Sequence, residues 1–227
     1  WWIDRISANF RLYDILRIDH FRGLAAYWAV PFGEKTAVNG KWIAAPGQQM
    51  LDAVYDALGE LPIIAENLGV ITPDVEALRE RYDMPGMKIL QFAFDSGEDN
   101  DFIPHSYDKN TVVYTGTHDN DTTLGRFQES TEEEKQQMRD YFRIDESDPA
   151  WSFIRLAWSS VSNFAVAPLQ DVLRLDTVAR MNFPGKASGY WKWRYKKEML
   201  TSAHAAELFK LSSIFGRLYR GKRSFPA

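Results

Sequence analysis

Three short segments each set a carboxylate directly behind an apolar run: Arg17-Ile18-Asp19-His20-Phe21-Arg22-Gly23, Ala65-Glu66-Asn67-Leu68-Gly69 and Thr117-His118-Asp119-Asn120-Asp121. In a strand, side chains alternate between faces, so Arg17 and Asp19 share a face while Leu16 and Ile18 take the other. A guanidinium in register with Asp19 favours its charged form, which suits a nucleophile. By the same alternation Ile64 and Glu66 share a face. Glu66 follows Pro62-Ile63-Ile64-Ala65, apolar surroundings that favour the neutral acid and suit a proton donor. At the third segment strict alternation cannot turn His118 and Asp119 the same way, so a bend is required there. One such acid alone reads as a helix cap or a loop residue. Three of them, one with an Arg in register, point to chemistry. The rival chemistry is a metal site drawn from Asp19, His20, Glu66, His118 and Asp119. Against it, no two histidines stand four apart and the chain has only four of them. No metal and no cofactor is therefore expected.

The elements that would carry these acids alternate between strand and helix. Strands are predicted over 15–19, 62–66, 88–94, 111–116 and 164–169. Helices are predicted over 46–58, from Thr72-Pro73 to about Tyr82, from Thr131 to about Phe142, over 149–162, over 191–200 and over 202–218. Thr72 and Pro73 supply an N-cap and a first-turn proline, and Thr131 with Glu134 makes a capping box. The long stretch from Gly23 to Ala45, with Tyr27, Trp28 and Trp42, reads as a loop. Strands alternating with helices imply βα units and a parallel sheet. A complete eight-stranded βα barrel takes about 250 residues, so five strands suggest the later part of one. In such a barrel the C-terminal strand ends form the active-site mouth.

The chain has 227 residues, 45% of them hydrophobic, which is enough for a sizeable core. Its formal charge of −4 offers no basic surplus for a phosphate backbone, so nucleic acid is not an expected partner. No apolar run approaches the roughly 20 residues of a membrane span. The absence of cysteine excludes disulfides and fits a reducing compartment, with the cytoplasm as the expectation. Aromatic residues make up 14% of the chain, eight of them Trp. Some of these are expected in the core and some as platforms for sugar rings.

RIDHFRG, AENLG and THDN resemble, in order and spacing, the three catalytic segments of the amylomaltase (4-α-glucanotransferase, disproportionating enzyme) family of the α-amylase clan. Arg180-Met181-Asn182-Phe183-Pro184-Gly185, with Trp191 and Trp193 downstream, resembles that family's C-terminal signature. The similarity runs over essentially the whole chain. It implies the C-terminal portion of a (β/α)8 TIM barrel, roughly strands 4 to 8, as one partial catalytic domain over 1–227, without the N-terminal half. It further implies that Asp19 is the nucleophile, Glu66 the acid/base and Asp119 the transition-state stabiliser. Arg17 and His118 would contact the sugar in the cleavage subsite, and Asn182 would add a further contact. Asn67, Phe94 and Asp95 are additional candidates. The expected substrates are maltooligosaccharides or other α-1,4-glucans. An α-glucan hydrolase of the same clan would use the same residues, and a non-catalytic glucan-binding module would need the aromatics but not the acids. A chain with only the later strands is expected to leave open sheet edges and to be inactive by itself.

Overall fold

The computed structural model describes residues 1–95 and 100–218 and divides into two compact units, one running to Met87 and the other starting at Lys88. In the first unit the order is α1 (Trp2–Phe10), β1 (Leu16–Ile18), β2 (Ala26–Ala29), β3 (Lys41–Ala44), α2 (Gly47–Leu58), β4 (Ile63–Ala65) and α3 (Pro73–Arg81). β1 and β4 pair in parallel, with Leu16 opposite Ile63, Arg17 opposite Ile64 and Ile18 opposite Ala65. One face of this pair is apolar. Ile63 and Ala65 are buried with Phe21, Leu51, Val75, Leu78 and Met84, and Leu16 and Ile18 pack against the same cluster. The opposite face carries Arg17 and Ile64. α1 packs on α2, and α3 starts with Thr72 at the N-cap and Pro73 in its first turn, as the sequence indicates.

The stretch expected to be a loop over 23–45 contains a hairpin instead. β2 and β3 are antiparallel, with Trp28 opposite Trp42 and their rings 5.5 Å apart, edge to face. Cross-strand aromatic pairing of this kind stabilises a ribbon. Gly40 lies against the Trp28 ring, where a Cβ would come within 2.3 Å of the indole nitrogen.

β5 (Gly86–Ile89) carries the chain across the boundary between the units. The second unit continues with β6 (Thr111–Tyr114), α4 (Thr123–Glu129), α5 (Glu132–Phe142), α6 (Pro149–Ser159), β7 (Phe164–Val166), α7 (Leu169–Val172) and α8 (Ser202–Ile214). The sheet order is β5-β6-β7, and β6 and β7 run parallel, with Val112 opposite Phe164. The core gathers Leu90, Phe94, Tyr107, Val113, Phe127, Met138 and Phe153. A second cluster joins Trp151, Ile154, Val172 and Leu211. The predicted capping box of α5 is present. Glu134 N donates to Thr131 Oγ1 at 3.2 Å, and Thr131 N donates to Glu134 Oε2 at 2.8 Å. Glu134 also binds Arg126 at 2.6 Å. Beyond α8, Arg217 reaches back to the end of α6 and donates to the carbonyls of Trp158, Ser160 and Ser162 at 2.8, 3.0 and 3.1 Å, and to that of Ala157 at 3.5 Å.

Two predicted elements differ. The run 88–94 is not one strand: β5 ends at Ile89 and Leu90–Phe92 form a 3-10 turn. An apolar run buried on every side carries no periodicity that separates strand from helix. The helix predicted over 191–200 is absent apart from a 3-10 turn at Lys197–Met199. Trp191 has φ 64° and Gly189 has φ 96°, left-handed values that break a helix at its start. Among the described residues no helix is long and apolar enough to cross a membrane.

Candidate active site

The first group of candidate residues is built by the β1–β4 ladder. Arg17 Nη2 donates to Asp19 Oδ1 at 2.8 Å, so the pairing expected from strand alternation is present. The Asp19 side chain is largely exposed, the Arg17 side chain much less so. Glu66 N donates to Ile18 O at 2.9 Å, which carries the ladder one residue beyond its last paired position and sets Asp19 beside Glu66. A regular parallel ladder would next send the His20 N–H to the Glu66 carbonyl. Here Phe21 N takes that carbonyl at 3.0 Å. The freed His20 N–H turns to the Glu66 side chain and donates to Oε2 at 2.6 Å. Leu68 N donates to Oε1 at 3.0 Å. Both carboxylate oxygens of Glu66 are thus held by main-chain donors.

The device that frees the His20 N–H is visible in its backbone. His20 has φ 49°, a left-handed conformation that costs a non-glycine residue about 1 kcal/mol. Such strain collects where a side chain must be aimed. The apolar surroundings expected for Glu66 are present on the strand's other face only. Its own contacts are hydrogen bonds that a carboxylate accepts.

The second group lies on the turn after β6. The strand ends at Tyr114, so the alternation that separated His118 from Asp119 no longer applies at their positions. Asn120 Oδ1 accepts from Thr117 N at 2.9 Å and Thr117 Oγ1 at 2.8 Å, closing a turn over 117–120. That turn is the required bend. It brings His118 Nε2 to 3.4 Å from Asp119 Oδ2. Asn182 Nδ2 donates to Asp119 Oδ1 at 2.6 Å, and Asn182 N donates to His118 O at 3.0 Å. Arg180 Nη2 donates to Asp119 O at 2.8 Å. The Trp191 ring lies 5.1 Å from that of His118, and Trp191 N donates to Met181 O at 2.8 Å. The two turns of the signature stretch therefore fold onto the Asp119 turn.

Of the remaining candidates, Asn67 and Phe94 make contacts within the fold. Asn67 donates to Glu76 at 2.7 Å and accepts from Met87 N at 2.8 Å, tying the end of β4 to α3 and β5. Phe94 is 2% exposed and packs among Phe142, Phe153 and Tyr141, a position that argues against direct sugar contact. Asp95 is exposed and ends the described stretch before residue 100. Sequence reasoning did not single out the backbone of His20 and Leu68 or the side chain of Asp171, and it placed Arg180 and Trp191 in the C-terminal signature without giving either a contact. A backbone donor leaves no mark in residue type. Asp171 lies inside α7, five residues beyond the end of β7 and behind Gln170, so a rule that looks for an acid directly behind an apolar run passes over it. Among the described residues no three His, Asp or Glu side chains gather in a group able to hold a metal ion.

The β1–β4 ends thus carry two acids on neighbouring strand ends, and the turn after β6 carries a third acid held by the Asn182 side chain. Comparison with known proteins assigns the family. The family model for 4-alpha-glucanotransferase matches residues 1–201. The 4-alpha-glucanotransferase of Synechocystis sp. is 52% identical over 96% of this chain and 44% of its own length. That of Thermus thermophilus is 48% identical over 96% of this chain and 45% of its own length. The solved amylomaltase from Streptococcus agalactiae in complex with acarbose superposes with a TM-score of 0.92 at 40% identity, over 96% of this chain and 44% of that one. The chain belongs to the 4-alpha-glucanotransferase family and spans less than half the length of the relatives it matches.

Proposed function

We propose that the protein carrying this chain is a 4-α-glucanotransferase that moves segments of α-1,4-glucan between maltooligosaccharides by retaining double displacement. The observation that carries this reading is the register of β1 and β4. It sets Asp19 and Glu66 side by side on strands that lie about 4.8 Å apart. Retaining enzymes need their two carboxyls about 5–5.5 Å apart. Asp19, oriented by Arg17, attacks the anomeric carbon. Glu66 protonates the departing glycosidic oxygen and then takes the proton of the incoming 4-hydroxyl. Asp119 binds ring hydroxyls more tightly as the sugar distorts, a gain made only near the transition state. Arg17, His118 and Asn182 contact the sugar.

Transfer prevails over hydrolysis when an acceptor occupies the site and excludes water. The five strands β1, β4, β5, β6 and β7 are read as strands 4 to 8 of a (β/α)8 barrel. The helices between β1 and β4, β4 and β5, and β6 and β7, together with the family's identity, support this. The cysteine-free sequence favours the cytoplasm. Incubation of the enzyme with maltotriose tests the activity: glucose together with chains longer than the substrate is expected. Glucose and maltose alone would identify the hydrolase of the same clan, and no turnover in a folded enzyme would overturn both.

A further inference from the structure

Asp171 lies in α7, just after β7, and is 1% exposed. Its Oδ2 accepts from Thr115 Oγ1 at 2.6 Å and from Thr123 Oγ1 at 2.7 Å. Its Oδ1 accepts from Thr123 N at 2.8 Å. Thr115 directly follows β6 and Thr123 opens α4, so one carboxylate grips both ends of the turn that carries His118 and Asp119. Gln91 works from the β5 side. Its Nε2 donates to Asp121 O at 2.9 Å and to Thr123 Oγ1 at 3.3 Å. The neighbour of Asp171, Gln170, donates to Ala179 O at 3.2 Å. That bond anchors the segment from which Arg180 and Asn182 hold Asp119.

Stability alone does not account for this acid. Its hydrogen-bond partners are two uncharged threonines. Burial pushes its carboxyl above the usual carboxylate range, and the charge of Asp121 pushes the same way. Keeping a buried carboxylate charged is costly, and an apolar group of similar volume often does as well or better for folding. What an apolar group cannot do is draw a strand end and a helix start to one point.

We propose that Asp171 is a positioning residue, which fixes both ends of the 116–122 turn and so holds Asp119 where it meets the distorted sugar. The proposal rests on the role given to Asp119 above. The test uses the intact enzyme with three substitutions: Asp171→Asn, Thr115→Val and, as control, Asp119→Asn. Misplacement of a reacting group by about an ångström costs up to 10²-fold in rate. Asp171→Asn should therefore lower kcat on maltotriose by about 10- to 100-fold while KM stays within about threefold and the melting temperature holds. Thr115→Val leaves the carboxylate in place and removes one of its three bonds. It should lower kcat about threefold to tenfold in the same pattern, and it covers the case in which Asp171→Asn does not fold. Adding Thr115→Val to Asp119→Asn should cost nothing further, because the lever acts through Asp119. If Asp119→Asn abolishes turnover while Asp171→Asn or Thr115→Val, folded, turns over as the wild type, the positioning inference is wrong and the site reading stands. A fall in melting temperature that accounts for the lost activity would make Asp171 merely structural, and also overturns the inference. If Asp119→Asn itself keeps its activity, the site reading fails and this proposal with it.

Discussion

The end of β1–β4 and the turn after β6 hold their acids by different means. At the first, Glu66 is fixed by main-chain N–H groups of His20 and Leu68, and Asp19 by an arginine two residues before it. Arg17 reaches Asp19 from two residues before it, while the donors to Glu66 are the main chain just beyond β1 and the main chain two residues past Glu66 itself. At the second, Asp119 is held by side chains of Asn182 and Arg180, 63 and 61 residues later in the chain. The hold on Glu66 in the first arrangement is made by main-chain groups and is hard to remove by mutation without removing the strand, and only the Arg17 contact to Asp19 there is a side-chain one. The second is a property of side chains brought together by the fold, and each can be cut singly.

The largest effects belong to the strand-borne pair. Asp19→Asn should abolish transfer and hydrolysis together, by on the order of 10⁴-fold or more, as loss of a nucleophile does. Glu66→Gln should cost about 10²–10⁴-fold on maltooligosaccharides. With a donor whose leaving group is already acidic, the first step should suffer far less. Equal loss on both donors would remove Glu66 from the proton-donor role. A smaller effect distinguishes the clamped turn. Asn182→Ala cuts a hydrogen bond to a carboxylate, worth about 1.5–3 kcal/mol, so kcat should fall roughly 10- to 150-fold. Wild-type kcat in that variant would mean that Asp119 holds its place without the clamp, and the contrast between the two regions would disappear.

The smallest effect lies away from both. Arg126 beside Glu134 holds that carboxyl below its ordinary value, with the Thr131 main chain and Ser130 adding to the shift. The folded form thus binds its proton less readily than the unfolded chain. The stability this provides is fully present above the unfolded value, 4.5, and is lost as pH falls through the lower folded value. Glu134→Gln should cost about 1–2 kcal/mol near neutrality, from the cap and the partly buried pair. It should also flatten the acid limb of a melting-temperature profile and leave kcat unchanged. An unaltered acid limb would show that another carboxylate governs it.

What was legible in the sequence follows the same divide. The strands at 15–19, 62–66 and 111–116 could be placed because each is a short apolar run with turn residues at its ends, whereas 88–94 overlaps β5 only at Lys88 and Ile89 and the run 164–169 stops as a strand at Val166. The facing of Arg17 and Asp19 followed from a period of two, and the α5 capping box from two residues three apart. The Asp119 turn could be located but not shaped, since Asn120, which closes it, does so through a side chain whose reach no periodicity encodes. The β2–β3 hairpin was missed because its strands are joined by a long irregular stretch, Val30 to Gly40, and its faces are exposed on both sides, so no alternation marks it. The 191–200 segment misled for the opposite reason. Its aromatics at 191, 193 and 195 recur every second residue, a period that suits no helix face, and the left-handed Trp191 is set by a bond to Met181 that lies outside any local pattern.

Arg217 sets an order of events. The carbonyls it satisfies at the end of α6 precede it by 55 to 60 residues. A chain emerging from the ribosome at about 5–20 residues per second spends several seconds with that helix end waiting. During this interval the Trp158, Ser160 and Ser162 carbonyls lack the guanidinium, while Ala157 O still accepts from Ser160. Completion of the second unit is therefore timed by the arrival of a single guanidinium 55 to 60 residues downstream, and a nascent chain arrested just short of it should remain open to protease at 157–162.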